Sequence, residues 1–262
     1  MSRKIFNPRL HTDWVQPHSL AWYAQLGRLE GSYSYSWQST IMEPDGETMF
    51  TREVSQMVPG KKVLDIGCGH GEYTLQWSAA AQHITGLDVT AEFIKQANET
   101  IHNNVSFVIA NTKSRLPFAD RAFDCAYNRR GPTSAYLDVK RVVRKGGKIL
   151  GLHPGDNVNV ELSTWFPGLF EPTSEGTPIL NQIKRRLVDG ELGHAEVETV
   201  RSFEYLHEPV DVIKMACFGQ KRSVFEAVIQ ESMNDITTIF WKNASDSGLP
   251  VAFERYIVRG VI

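Results

Sequence analysis

The alternation of apolar and polar positions divides the chain into three stretches. From Pro17 to Leu29, Leu20, Tyr23, Ala24 and Leu26 recur at helical spacing, and Gly31 suits a helix stop. Tyr33, Tyr35 and Trp37 then alternate strictly with serines, as in an edge strand or an extended lid. These rings either pin the N-terminal segment to the core or wall a ligand pocket. Gly46 to Val58 reads as a second helix, with Phe50, Val54, Met57 and Val58 on one face.

The second stretch has a strand–helix rhythm. Strands are expected at Val63–Ile66, His83–Leu87, Val105–Ile109, Phe123–Tyr127 and Lys148–Leu152. Helices are expected over Glu72–Ala81, over Ala91–Glu99 behind an N-capping Thr90, and after Pro132, with Tyr136, Val139 and Val143 inward. Such an alternation predicts an α/β fold, a doubly wound parallel sheet whose strand carboxyl ends line one ligand-binding edge. In the third stretch, Pro154, Gly155, Pro167, Gly168, Pro172, Gly176 and Pro178 break the rhythm. Helices are expected there over Ile179–Val188, Pro209–Cys217 and Ser223–Met233, and strands over Glu196–Tyr205 and Ala252–Ile262. The division expected is an N-terminal cap (1–59), a ligand-binding core (60–153), and substrate-side insertions with closing strands (154–262) of the same domain.

Composition narrows the function classes. With 28 basic and 30 acidic side chains the net charge is −2, so nucleic acid is not implied by charge. Cys68, Cys125 and Cys217 stand far apart, which argues against a zinc knuckle or disulfide framework and fits a reducing compartment. His11, His18, His83, His102, His194 and His207 form no metal-ligand pattern with them, so no metal is expected. With no signal-peptide pattern and no apolar run near 20 residues, a soluble cytoplasmic protein with no membrane contact is expected.

The chemistry centres on Val63-Leu64-Asp65-Ile66-Gly67-Cys68-Gly69-His70-Gly71-Glu72. A strand that turns on glycines into a helix brings backbone N–H groups against a ligand. A dinucleotide turn reads Gly-x-Gly-x-x-Gly, whereas the spacing here is Gly-x-Gly-x-Gly, and Asp65 precedes it. That carboxylate would repel a pyrophosphate, which disfavours a nicotinamide-dependent dehydrogenase. It suits a ligand with a cationic amine, such as S-adenosylmethionine, and Asp88 at the end of the next strand can accept both hydroxyls of a ribose.

Val63–Glu72, Gly86-Leu87-Asp88-Val89, Leu116-Pro117-Phe118 with Phe123-Asp124, and Arg144-Lys145-Gly146-Gly147 resemble the successive signatures of class I S-adenosylmethionine-dependent methyltransferases. The resemblance covers about residues 60 to 153 and implies a Rossmann-like, seven-stranded sheet. By that resemblance, Asp65, Gly67, Cys68 and Gly69 surround the methionine part of the cofactor, Asp88 holds the ribose and Val89 packs on the adenine. Asn111 or Thr112 meets the adenine edge, and Asn128 lies beside the transferred methyl. The chain departs from the pattern at Ala110-Asn111-Thr112, where the family usually has an acid; a neutral amide accepts more weakly than a carboxylate.

A narrower similarity over Ala110 to Leu162, through Arg115-Leu116-Pro117-Phe118 and His153-Pro154-Gly155, is to a bacterial branch that includes a ribosomal-RNA guanine methyltransferase. That enzyme type carries a zinc module of cysteines, which these three cysteines do not form. The basic groups Arg129-Arg130, Lys140-Arg141, Arg144-Lys145 and Lys184-Arg185-Arg186 are either a phosphate-tracking surface or solvated helix faces. A small-molecule methyl acceptor is therefore expected, with product S-adenosylhomocysteine. An RNA base is the alternative acceptor, and a non-catalytic cofactor-binding regulator is a further alternative. His153, after the fifth strand, is the candidate base or else a loop histidine bonded to backbone. Arg129 and Arg130 either clamp an acceptor's carboxylate or phosphate or form surface ion pairs.

Overall fold

The structure, a computed structural model, describes residues 5–99 and 103–262; His102, named above, lies outside the described residues. In chain order the elements are α1 (Leu20–Glu30), β1 (Ser39–Ile41), α2 (Gly46–Met57), β2 (Lys62–Ile66), α3 (Glu72–Leu75), β3 (His83–Asp88), α4 (Ala91–Ala97), β4 (Val105–Ile109) and β5 (Cys125–Arg129). They continue with α5 (Val139–Val142), β6 (Lys148–Pro154), α6 (Val160–Trp165), α7 (Pro178–Asp189), β7 (Glu196–Leu206), α8 (Pro209–Ala216), α9 (Arg222–Asn243) and β8 (Leu249–Val261). The strands form one sheet in the order β1-β7-β8-β6-β5-β2-β3-β4, so eight strands stand where seven were expected; the addition is the three-residue β1.

The described residues fall into two compact units. The first comprises Pro44–Asp156, Gly176–Val200 and Arg255–Ile262. Within it β2 pairs in parallel with β3 and β5, β3 with β4, and β5 with β6, while β8 runs antiparallel to β6. The chain moves outward from β2 to β4, then crosses back to β5 on the other side of β2. The carboxyl end of β2 is therefore the switch point where an open sheet leaves a crevice.

Alternation along each strand builds two cores. Val63, Ile84, Cys125, Tyr127, Leu150, Leu152 and Ile257 face α2 through Phe50, Val54 and Met57. Leu64, Ile66, Ala126, Ile149, Tyr256 and Val258 face the opposite way, against Tyr136, Val139, Ile183 and Leu187. Helix α2 begins where the Asp45 side chain accepts from the N–H groups of Glu47 and Thr48, an N-cap that fixes Glu47 in the first turn.

The second unit comprises the described residues of Met1–Glu43, with Asn157–Glu175 and Arg201–Glu254. Its core gathers Leu162, Phe166, Leu206, Val212, Ile213, Val224, Val228, Ile236 and Phe240 around α8 and α9. Helix α2, expected in the cap, thus lies in the first unit, and the segments 157–175 and 201–254 form a core of their own with the N-terminal residues.

In the first unit, Gly151 on β6 makes room for a buried polar pair. A Cβ there would lie 1.9 Å from the Tyr136 hydroxyl and 3.1 Å from His153 Nε2. Replacing Gly151 with Ala should cost about 2–4 kcal/mol through overpacking and a broken buried hydrogen bond. Adding Tyr136→Phe, which removes the obstructing oxygen, should make the double variant less destabilised than the sum of the singles. Urea unfolding of the four proteins measures both effects.

Candidate functional site

The site begins at the carboxyl end of β2. Asp65 is 2% exposed, and its Oδ2 accepts hydrogen bonds from Thr74 Oγ1 at 2.6 Å and Tyr127 Oη at 2.9 Å. The sheet register places Tyr127 opposite Asp65, and Thr74 lies on α3, so one carboxylate ties β2, β5 and the first helical turn together. Burial raises its pKa from the usual carboxylate value to about 6, although the two hydrogen bonds and the nearby Arg129 pull it down.

The turn that follows reverses tightly. Gly67, Gly69 and Gly71 have φ of +76°, +56° and +83°, in the left-handed region that glycine enters without strain. A Cβ on Gly67 would meet Gly131 Cα at 2.7 Å, whereas one on Gly69 would meet nothing within 4 Å. Open space thus lies beside the middle of the turn. Asp88 ends β3, where Oδ2 accepts from the Gly69 N–H at 3.0 Å and Oδ1 from the Thr90 N–H at 2.8 Å. The second acid therefore holds the glycine turn itself, and lone pairs remain on both oxygens. Cys68 is buried with its thiol pKa pushed well up by desolvation, so it stays a neutral packing group.

On β5, Asn128 is 2% exposed; its Nδ2 donates to the Pro132 carbonyl at 3.0 Å, while its Oδ1 is buried without a partner. An acceptor atom buried in this way at a strand end is available to a ligand donor. Val89 is exposed. Asn111 is also exposed, and its Oδ1 caps the Lys113 N–H at 2.9 Å; Thr112 is buried, with its hydroxyl 2.6 Å from Ser134 Oγ.

The first unit thus brings together Asp65, Gly67, Cys68, Gly69, Asp88, Val89, Asn111, Thr112, Asn128, Arg129 and Arg130. Residues 63–147 match the family described as a methyltransferase domain. By that match residues 63–147 are a methyltransferase domain, and they resemble the class I S-adenosylmethionine-dependent methyltransferases. The chain is 31% identical over 141 residues to a malonyl-[acyl-carrier protein] O-methyltransferase of Erwinia billingiae, covering 51% of this chain and 55% of that one. It is 34% identical over 117 residues to the ubiquinone/menaquinone biosynthesis C-methyltransferase UbiE of Pseudomonas paraeruginosa, covering 39% of this chain and 45% of that one. The chain spans about half the length of these curated relatives. In fold it is similar to a functionally unknown protein of Deinococcus radiodurans R1, with TM-score 0.63 and 21% identity over 91% of this chain and 98% of that one.

Other expected site residues stand elsewhere. Tyr33, Tyr35 and Trp37 belong to the second unit and to no regular strand. Tyr35 stacks on Trp37 at 4.3 Å, all three rings meet Phe218 edge-on, and Trp37 Nε1 donates to Glu204 at 2.9 Å. His153, the candidate base, is 1% exposed; its Nε2 lies 2.7 Å from the Tyr136 hydroxyl, and burial lowers its pKa to about 3. An imidazole so enclosed is a neutral partner of Tyr136, not an exposed base. Of the basic groups, Arg141 pairs with Asp138 and Asp120, Arg144 with Asp124 and Lys140 with Glu191. Among the described residues, no helix is long and apolar enough to cross a membrane, and no three His, Cys, Asp or Glu side chains could together hold a metal ion.

Thr74, Tyr127, Phe107, Glu47 and Arg255 escaped the sequence reading. Phe107 packs beneath the glycine turn, where a Cβ on Gly71 would lie 2.7 Å from its ring. Only the register of β5 against β2 reveals Tyr127 as Asp65's partner, and no local motif encodes it.

The raised pKa of Asp65 has a stability consequence. Its folded value lies above the unfolded one, so keeping the proton stabilises the fold at low pH, and that contribution is lost as pH rises through about 6. Asp65→Asn does not titrate. Its stability relative to wild type should therefore improve by on the order of 2–3 kcal/mol between about pH 4 and pH 7, as read from urea unfolding at each pH.

Proposed function

We propose that the protein binds S-adenosylmethionine at the β2–β3 strand ends and transfers its methyl group to an oxygen, nitrogen or carbon of a small-molecule acceptor. The observation that carries this reading is the pairing of two acids with one glycine turn: Asp65 buried before it, and Asp88 bonded to its central N–H. The residues present fit such a ligand. The space beside Gly69 is open, Asn128 Oδ1 has no partner, and the two carboxylates suit an amine and a ribose.

In this reading Asp65 and the Gly67–Gly69 backbone hold the methionine part, with Cys68 packing behind it. Asp88 accepts from the ribose hydroxyls, and Val89 packs on the adenine. Asn111 meets the adenine edge in preference to Thr112, whose hydroxyl is taken up by Ser134. Asn128 lies beside the reacting centre. Bound there, S-adenosylmethionine supplies a methyl group already activated by its sulfonium. The protein's contribution is then chiefly to align the acceptor in line with the breaking bond, and positioning of this kind supplies much of the rate. We assign His153 no part in proton removal, because its Nε2 is engaged by Tyr136.

The ion pairing of Lys140, Arg141 and Arg144 supports a small molecule over RNA, since guanidinium and ammonium groups held by carboxylates track phosphates less well. The two relatives methylate different atoms by name, one oxygen and one carbon, so the attacked atom stays open among the three.

Replacing Asp88 with Ala should weaken S-adenosylhomocysteine binding by about 100-fold or more, as the loss of two charge-assisted hydrogen bonds implies. Calorimetry measures this, with NAD expected to give no heat. Unchanged affinity would remove the ribose assignment. Tritium from methyl-labelled cofactor should enter a metabolite extract and not total RNA; label found only in RNA would reverse the acceptor class, and label in neither would favour a regulator.

A further inference from the structure

We propose that Arg129, with Arg130 and Arg255, forms a recognition site for a compact oxyanion, a carboxylate or a phosphate, carried by the methyl acceptor. Naming the anion's bearer as the acceptor rests on the function proposed above, but the anion site itself stands on its own geometry.

The strand register assembles this cluster. Arg129 ends β5 on the face that carries Tyr127 two residues earlier, and Arg255 sits opposite Pro154 at the carboxyl end of β6. Both reach the first turn of α2, where Glu47 accepts from Arg129 Nη2 at 3.0 Å and from Arg255 Nε at 3.1 Å. Arg130 Nε lies 3.7 Å from the same carboxylate. These four side chains gather at the carboxyl ends of β5 and β6. Three guanidinium groups thus converge on one carboxylate, with Arg255 only 7% exposed.

Two further observations point the same way. Arg129 Nε is buried without a hydrogen-bond partner, although its Cζ lies over the Tyr73 ring, 4.5 Å from the centroid. A donor fixed and desolvated in this way lacks an acceptor oxygen. Arg130 takes φ of +60°, a conformation uncommon for a residue with a Cβ, and its N–H is tied to the Leu152 carbonyl at 2.7 Å. Gly131 follows, with room for no Cβ, since one would lie 2.5 Å from the Ile66 carbonyl oxygen. The turn is therefore over-determined by its surroundings, as strained backbone at ligand sites is.

The test follows the arginine Nε–H signals of the full chain by NMR, with and without S-adenosylhomocysteine, during titration with inorganic phosphate and separately with succinate. Sodium chloride at matched ionic strength is the control, and the Arg129 signal is identified by its loss in Arg129→Lys. A saturable shift at Arg129 with either anion is the expected result, and the anion that produces it names the source. Arg129→Lys should weaken that binding by about tenfold through loss of the planar fork. Glu47→Gln, which removes the competing carboxylate, should tighten it by about threefold, whereas a purely structural clamp would leave it unmoved. The proposal is overturned if the Arg129 signal moves no more than that of exposed Arg222, or if Glu47→Gln leaves anion affinity unchanged. Cofactor binding is measured separately by calorimetry, so absence of cofactor heat with a saturable Arg129 shift would overturn the methyltransferase reading and leave the anion site standing.

Discussion

The glycine turn depends on the burial of one carboxylate. Asp65 sits where β2 ends, almost out of contact with water, and Thr74 and Tyr127 donate to the same oxygen. A carboxylate in that position costs free energy that two hydrogen bonds only partly offset, which is why its pKa rises to about 6. In return it fixes three elements at once: the end of β2, the start of α3 and the middle of β5. Because both bonds fall on Oδ2, Oδ1 carries none among the described residues.

The sheet's switch point explains why this carboxylate matters more than others in the chain. Neighbouring strands lie about 4.8 Å apart, and with Asp65 opposite Gly86 the acid Asp88 stands two residues further along the next strand, level with the glycine turn. Asp88 closes the arrangement from the other side by accepting the Gly69 N–H, which orients the turn's amides. Phe107 supports the turn from below, and the missing Cβ atoms of Gly71 and Gly86 are what let its ring approach. Glycine spacing, strand order and the two acids are parts of one packing solution.

Much of this was legible in the sequence because it is local. The Gly-x-Gly-x-Gly turn, the apolar runs of β2, β3 and β4, and the N-cap position of Thr90 are encoded within a few residues. What escaped was set at a distance. Strand β5 was expected over Phe123–Tyr127 but runs over Cys125–Arg129; Asp124 Oδ2 accepts the Lys62 N–H at 2.8 Å, and Phe123 bridges to Val143 instead. Helix α3 stops at Leu75, not Ala81, because Trp77 N–H turns back to the Thr74 carbonyl in a tighter i−3 bond. Helix α9 runs on to Asn243 through Asn234, Asp235, Thr237 and Thr238, whose weak propensity is outweighed by burial of Ile236 and Phe240. Of the site, the acids were readable from their places after strands. Their partners Thr74 and Tyr127, and the convergence of Glu47 with Arg255, needed the register.

The rim also separates its charges by sign, which is a demanding arrangement. Asp65 and Asp88 end β2 and β3, while Arg129 ends β5 and Arg255 faces the end of β6. Opposite charges attract with roughly 4 kcal/mol at 4 Å in a half-screened environment, so the guanidinium of Arg129, whose charge already lowers the Asp65 pKa, is drawn towards it. Glu47 opposes that. Its pKa is held down against its own burial by Arg130, Arg129 and Arg255, so it stays ionised at the helix start and keeps the guanidinium turned towards α2 and the Tyr73 ring. The capping residue Asp45 fixes where that carboxylate stands. A helix N-cap on one side of the sheet thereby keeps the acids of β2 and β3 and the guanidinium of Arg129 distinct along a single edge, the separation that the proposed cofactor and an anionic acceptor would require.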